Sequence, residues 1–212
     1  ATNGHAYGVR VDPSDANGTA IAPITFVGPT NTAKAEFRAL SAIRDGFFLT
    51  NAMNVRVRAL TICHYTNGVR VVGTSTNDVV QGPTIFSNAS YGVYLAGMDV
   101  DANRIVSNSI YGPGQSVGVY VLDGDRNVVS NNPAIKRNGS YGVYMDSTAA
   151  SNTVVGNAIY SNVSSGVWLN GVGVDANRIV SSTIFGPGQS YGVYIRDGDR
   201  NVGTNNPAIK RN

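Results

Sequence analysis

Gly142-Val143-Tyr144-Met145 is a phrase that returns along the whole chain. Gly92-Val93-Tyr94-Leu95, Gly118-Val119-Tyr120-Val121, Gly166-Val167-Trp168-Leu169 and Gly192-Val193-Tyr194-Ile195 repeat it, and Gly46-Phe47-Phe48-Leu49 and Gly68-Val69-Arg70-Val71 are looser copies. The glycines step by 22, 24, 26, 24, 24 and 26 residues. Apolar residues on alternate positions are the pattern of a β-strand, whose second and fourth side chains share one face and whose third takes the other. A strand repeated at a period in the twenties marks a solenoid, because one coil cannot bury its apolar face alone. Val93, Leu95, Val119, Val121, Val143, Met145, Val167, Leu169, Val193 and Ile195 are therefore expected to point inward.

The rest of each coil repeats too. An Asn follows the glycine by eight to eleven residues, at Asn54, Asn77, Asn103, Asn127, Asn152, Asn177 and Asn201. Stacked about 4.8 Å apart, these amides would form a hydrogen-bonded ladder at a turn. A short apolar strand comes next, then a second polar column (Asn108, Asn132, Asn157, Ser182, Asn206) and a single deep Ile (Ile110, Ile135, Ile159, Ile184, Ile209). One coil thus reads as three short strands and three turns.

The pattern G-V-x-L, N-x-V, N-x-I-x-x-N resembles the right-handed parallel β-helix repeats of the carbohydrate-binding and sugar-hydrolase superfamily, which includes NosD-like and pectin-lyase-like proteins. Residues 46–212 carry the resemblance. It implies an all-β chain, a single-stranded right-handed parallel β-helix of about eight coils of roughly 24 residues. It implies no single activity, because that superfamily includes polysaccharide lyases, epimerases, hydrolases, phage tailspikes, adhesins and proteins without catalysis.

Residues 1–45 read as irregular N-terminal coils or a cap, ahead of the regular coils of 46–212. Ile24-Thr25-Phe26-Val27 alternates like a strand. Phe37 to Ile43 echoes Val57 to Ile62, which favours a strand over a short capping helix from Ala33 to Leu40. A longer repeat overlies the coils: residues 100–138 and 174–212 align at an offset of 74 and differ at eight of 39 positions, a duplicated three-coil block.

Composition agrees with many short strands and turns. Charged residues make up 14% of the chain and glycine accounts for 25 positions. The net charge of +3 comes from 16 basic and 13 acidic residues without a basic run, which does not indicate a nucleic-acid partner. No run of 18 apolar residues offers a membrane span. Cys63 is the single cysteine, so no internal disulfide forms. Four Asn-x-Ser/Thr sequons, at Asn17, Asn88, Asn138 and Asn162, are read as chance in a chain so rich in Asn and Ser.

Two constellations could carry function. The outward position of the recurring phrase lines up Tyr94, Tyr120, Tyr144, Trp168 and Tyr194 as an aromatic stripe. Sugar faces pack on such rings, and stacked rings also stabilise a sheet by themselves. Asp123-Gly124-Asp125-Arg126-Asn127 and its copy Asp197-Gly198-Asp199-Arg200-Asn201 space oxygens like the opening of a calcium loop, making Asp123, Asp125, Asp197 and Asp199 the candidate metal ligands. Turn chemistry accounts for the same residues without an ion, and neither copy continues into the Gly and distal Glu of a full loop. No cofactor besides calcium is implied.

No catalytic residue is assigned. Tyr7 to Asp15 resembles the Asp-Pro-His-Asp motif of the superfamily's epimerases, but Ser14 stands where the His belongs, which removes the group that titrates near neutral pH. The expected function is an extracellular or cell-surface structural or adhesive repeat module that presents its stripe to polysaccharide or to copies of itself. The alternatives are a polysaccharide lyase or uronate epimerase and a phage or virus fibre segment. Short, uniform turns after Gly46 favour scaffold over cleft. The sequence ends in mid-repeat at Pro207 to Asn212, so head-to-tail stacking into filaments or continuation in a longer parent is expected.

Overall fold

Side-chain alternation in the recurring phrase closes the chain around its apolar face. The computed structural model describes residues 7–12, 18–19, 21–29, 35–39 and 44–209. Each coil gives one strand to each of three parallel sheets of eight strands. The first sheet stacks Tyr7–Val11, Asp45–Thr50, Asn67–Val72, Tyr91–Ala96, Val117–Leu122, Tyr141–Asp146, Ser165–Asn170 and Tyr191–Ile195. The second runs from Ile24–Val27 to Val202–Thr204, and the third from Glu36–Arg38 to Ala208–Ile209. Eight strands per sheet make seven coil-to-coil steps, about seven turns, slightly fewer than the eight expected. The chain is a right-handed parallel β-helix, the hand that parallel crossovers take in nearly every case. The strand at Glu36–Arg38 pairs with Thr61–Cys63, so among the described residues the strand reading prevails over the capping helix.

The core is a column of stacked like residues. Val93, Leu95, Val119, Val121, Val143, Met145, Val167 and Leu169 are fully buried, and Ile110, Ile135, Ile159 and Ile184 close the column from the third sheet. Val193 and Ile195 keep the inward register with Val167 and Leu169. Ile195 is nevertheless 44% exposed, because its strand is the last of its sheet among the described residues. The side chain of Ile209 lies outside the described residues.

The glycine of each phrase is there for close approach. A Cβ at Gly142 would stand 2.5 Å from Ile159 Cγ2, 2.6 Å from the Gly166 carbonyl oxygen and 2.9 Å from Asn162 Nδ2. Any side chain here would push the third-sheet isoleucine off the corner.

Three buried polar ladders hold the turns. At the first, the backbone N–H of Asn103 donates to Asn127 Oδ1, that of Asn127 to Asn152, that of Asn152 to Asn177 and that of Asn177 to Asn201, at 2.8–3.0 Å. Each Nδ2 donates back to a carbonyl of the preceding turn, as Asn127 does to Val100. Asn54 and Asn77 do not belong to this column. They are left-handed turn residues, with φ of 56° and 59°, and register places Asp78 beside Asn103 instead. Asp78 Oδ1 accepts from the Val55 N–H at 2.8 Å. The second ladder runs through Asn108, Asn132, Asn157, Ser182 and Asn206 as expected.

The third ladder consists of Asn88, Gln115, Asn138, Asn162 and Gln189, all fully buried. Three of the sequons are therefore interior ladder positions, and Asn17 lies outside the described residues. Where the ladder residue sits three positions before the phrase glycine instead of four, as at Gln115 and Gln189, glutamine stands in place of asparagine.

Candidate functional site

The first sheet brings the outward residues into one column, with Tyr94, Tyr120, Tyr144, Trp168 and Tyr194 in register. Tyr94 and Tyr120 stack at 5.1 Å and 16°, and Tyr120 and Tyr144 at 4.8 Å and 11°. Trp168 meets Tyr194 at 4.5 Å and Tyr141 at 5.0 Å. Arg70 occupies the column between Phe48 and Tyr94, its guanidinium 5.5 and 5.8 Å from the two ring centroids. Ring-on-ring stacking covers the faces of the middle rings, and Tyr120 is only 9% exposed. The column thus offers a ligand edges more than faces.

Open faces come from a second set of tyrosines that the sequence reading did not single out. Tyr91, Tyr141 and Tyr191 lie in one register, separated by Val117 and Ser165. Tyr91 sits 4.9 Å from Tyr94 and 5.1 Å from Tyr120, at 71° to the latter. Tyr141 likewise spans Tyr144 and Trp168 at 5.0 Å each. Tilted by 42° to 71° against the rings they touch, Tyr91 and Tyr141 do not join the stack, and each leaves one face off it. These tyrosines are two strands apart, about 9.6 Å. A groove of about 380 Å³ lies between Tyr91 and Tyr141, lined also by Val117, Ser90, Ser116 and Ser140, with Tyr120, Tyr144 and Asp146 at its side. The signal was present in the sequence: Tyr-Gly-Val-Tyr occurs three times, at Tyr91, Tyr141 and Tyr191.

Asp146 organises the groove. Its Oδ2 accepts from Tyr144 Oη at 2.8 Å and Tyr120 Oη at 3.2 Å, and its Oδ1 accepts from Asn170 Nδ2 and from the Ser147 N–H, both at 2.8 Å. Burial alone would raise this carboxyl, but the four donated bonds outweigh it and hold the pKa below the usual carboxylate value. Burial and the adjacent carboxylate push the Tyr120 and Tyr144 phenols upward. At neutral pH the Tyr120 and Tyr144 phenols therefore keep their protons beside an ionised Asp146 and donate to it.

The family model for the right handed beta helix region matches residues 45–209. The chain belongs to this beta-helix family. Among solved structures, this beta helix resembles the periplasmic alginate epimerase AlgG with a TM-score of 0.57 and 11% identity, over 84% of this chain and 58% of that one. It also resembles the enzymatically active domain of bacteriophage CBA120 tailspike protein 2, with a TM-score of 0.59 and 12% identity, over 84% of this chain and 32% of that one. The chain thus spans little more than half, and about a third, of these two neighbours, and at such identities the likeness is one of fold. No curated protein sequence matches the chain.

Elsewhere on the beta helix, the D-x-D-x-N segments act as turn braces. Asp123 Oδ1 accepts from the N–H and hydroxyl of Thr148, and Asp125 Oδ1 from the Ala150 N–H. In the copy, the Asp199 N–H donates to Asp175 Oδ1, while Asp197 lies 3.8 Å from Arg196. Among the described residues no three His, Cys, Asp or Glu side chains gather as a metal site, and no helix is long and apolar enough to cross a membrane. Burial, then Glu36, pushes the Cys63 thiol up to about 11, which removes it as a nucleophile. Of the epimerase-like segment, Asp12 pairs with Arg10 at 2.7 Å, and residues 13–17 lie outside the described residues. The third sheet carries a further outward column in which Lys136 Nζ lies 5.6 Å from the Tyr111 ring and 5.3 Å from the Tyr160 ring, with Phe86 and Phe185 stacked beyond.

Proposed function

We propose that this beta helix is a polysaccharide-binding module of the cell surface or extracellular space that takes a linear, uncharged glycan along its first sheet. The observation that carries this reading is the pair Tyr91 and Tyr141, two strands apart in a groove rimmed by serines and tilted away from the stacked column, with Tyr191 two strands further along the same register. Sugar rings pack their C–H faces on aromatic rings, and an extended glycan repeats every second sugar, a period comparable to the two-coil spacing. Val117 and Ser165 leave room between the platforms. Ionised Asp146 favours hydroxyl-bearing sugars over uronates at that point.

Trp168 is the single tryptophan and touches Tyr141, so its fluorescence reports on the groove. Titration with a panel of linear neutral oligosaccharides should change Trp168 emission. Tyr141→Ala should weaken binding about tenfold or more, the scale of one stacking platform, while the half-buried position keeps the melting temperature within a few degrees. A panel that leaves emission and calorimetry unchanged sinks the reading. Release of unsaturated uronates, seen as ultraviolet absorbance on incubation with polyuronates, would replace it with a lyase.

A further inference from the structure

The second sheet presents a face of opposite character. Its outward columns, in register, read Thr25, Arg56, Val79, Arg104, Val128, Thr153, Arg178, Val202 and Val27, Arg58, Gln81, Val106, Ser130, Val155, Val180, Thr204. Four arginines stand on this face and no acidic residue does. Arg10, Arg38, Arg70, Arg126, Arg196 and Arg200 each lie 2.5–3.8 Å from a carboxylate. Arg56, Arg58 and Arg104 have no such partner among the described residues. Among the described residues, Asp101 is committed to Arg126 and to the Asp125 N–H, and Asp78 to the buried ladder.

The three unpaired guanidiniums converge on one groove of about 310 Å³, floored by Val79, Gln81 and Val106. Arg56 and Arg58 project from the same strand, two residues apart, about 6.8 Å. Arg104 faces Arg56 across Val79, two strands away, about 9.6 Å. Three like charges held this close, with no counter-charge from the described residues, complement a ligand that brings several anionic groups of its own.

We infer that this groove is a second binding site, distinct from the tyrosine groove, for an acidic polysaccharide whose carboxylate or sulfate groups are taken by Arg56, Arg58 and Arg104. The planar guanidinium fork matches such oxyanions two bonds at a time. The rest of the face argues for a glycan over the other polyanions. It has no aromatic ring on which nucleic-acid bases could stack, its cations are too few and too local for a duplex backbone, and it has no protruding apolar wedge to enter a membrane. The sequence concealed this site because a net charge of +3 dispersed along the chain becomes concentrated only when coils stack.

The experiment measures affinity of the whole chain for polygalacturonate and for dextran sulfate across a sodium chloride series, with duplex DNA and phosphatidylserine vesicles as competitors. Binding should weaken steadily with salt. The Arg58→Gln, Arg104→Gln double variant should lose about tenfold per guanidinium, the scale of one charge-assisted contact. Arg104→Lys, which keeps charge but not the fork, should fall between. Both sites are exposed or half-exposed, and an unchanged melting curve separates lost binding from lost fold. Tyr141→Ala should retain the polyanion, so failure of the tyrosine groove and failure of this site read separately. Absence of binding, binding unaffected by the double variant, self-association through this face, or tighter capture of DNA or vesicles each overturns the assignment.

Discussion

Asp78 shows how one atom changes a repeat. It occupies an asparagine column, and where asparagine would donate an amide it places a buried Oδ2 with no hydrogen-bond partner. Burial raises its pKa from 3.8 to about 7, against the opposing bond from the Val55 N–H. The folded chain therefore holds its proton more tightly than the unfolded chain, and the stability this gives is full below about pH 4 and lost as pH rises through 7. Asp78→Asn should abolish that slope and raise stability by about 2 kcal/mol at pH 8, the cost of one buried unpaired polar group. Thermal melts of both proteins from pH 4 to 8 check it, and parallel curves would show that Asp78 is not the titrating group. The sequence pointed to Asn77 here because counting from the glycine cannot detect a turn that is one residue longer. Only the register of the next strand does.

At the scale of strands and turns, the stacked phrase was legible because alternation and period are written in residue type. Tyr94, Tyr120, Tyr144, Trp168 and Tyr194 fell into register as read, yet what the column presents to solvent was not legible. Whether a ring shows its face or its edge depends on interplanar angles. The third ladder was missed for a related reason: Asn88, Gln115, Asn138, Asn162 and Gln189 vary in both residue type and spacing. The turn ladders make a sharp test. Asn132 accepts from both the backbone N–H and Nδ2 of Asn108, and donates to the Ile105 carbonyl and to Asn157. Asn132→Ala should cost about 3 kcal/mol by leaving several buried groups unpaired. Asn132→Ser should cost less, because Ser182 fills the same column and still accepts from the Asn157 N–H at 3.3 Å. Denaturant unfolding would give the order, and equal losses would mean that the ladder amide contributes only by its volume.

As a whole, the chain is nearly one-dimensional: each coil touches only its neighbours, so its stability is close to a sum over coils and their interfaces. The duplicated block makes this testable. Removing residues 126–199 joins Asp125 to Arg200, the position equivalent to Arg126 at the offset of 74. Left-handed φ values of 55° at Arg126 and 56° at Arg200 show that the turn is the same at both ends of the cut. The shortened chain should keep its β-type circular dichroism and melt cooperatively at a lower temperature. An aggregated or unstructured product would show that the coils depend on contacts beyond their neighbours.

All three ladders run one way. The backbone N–H of a given coil finds its side-chain acceptor on the following coil, from Val55 to Asp78, from Asp78 to Asn103, and from Tyr65 to Asn88. Time therefore enters the structure. A chain emerging N-terminus first from the ribosome cannot finish any coil until the next has been translated, so the newest coil always waits, and completion follows synthesis at a lag of one coil.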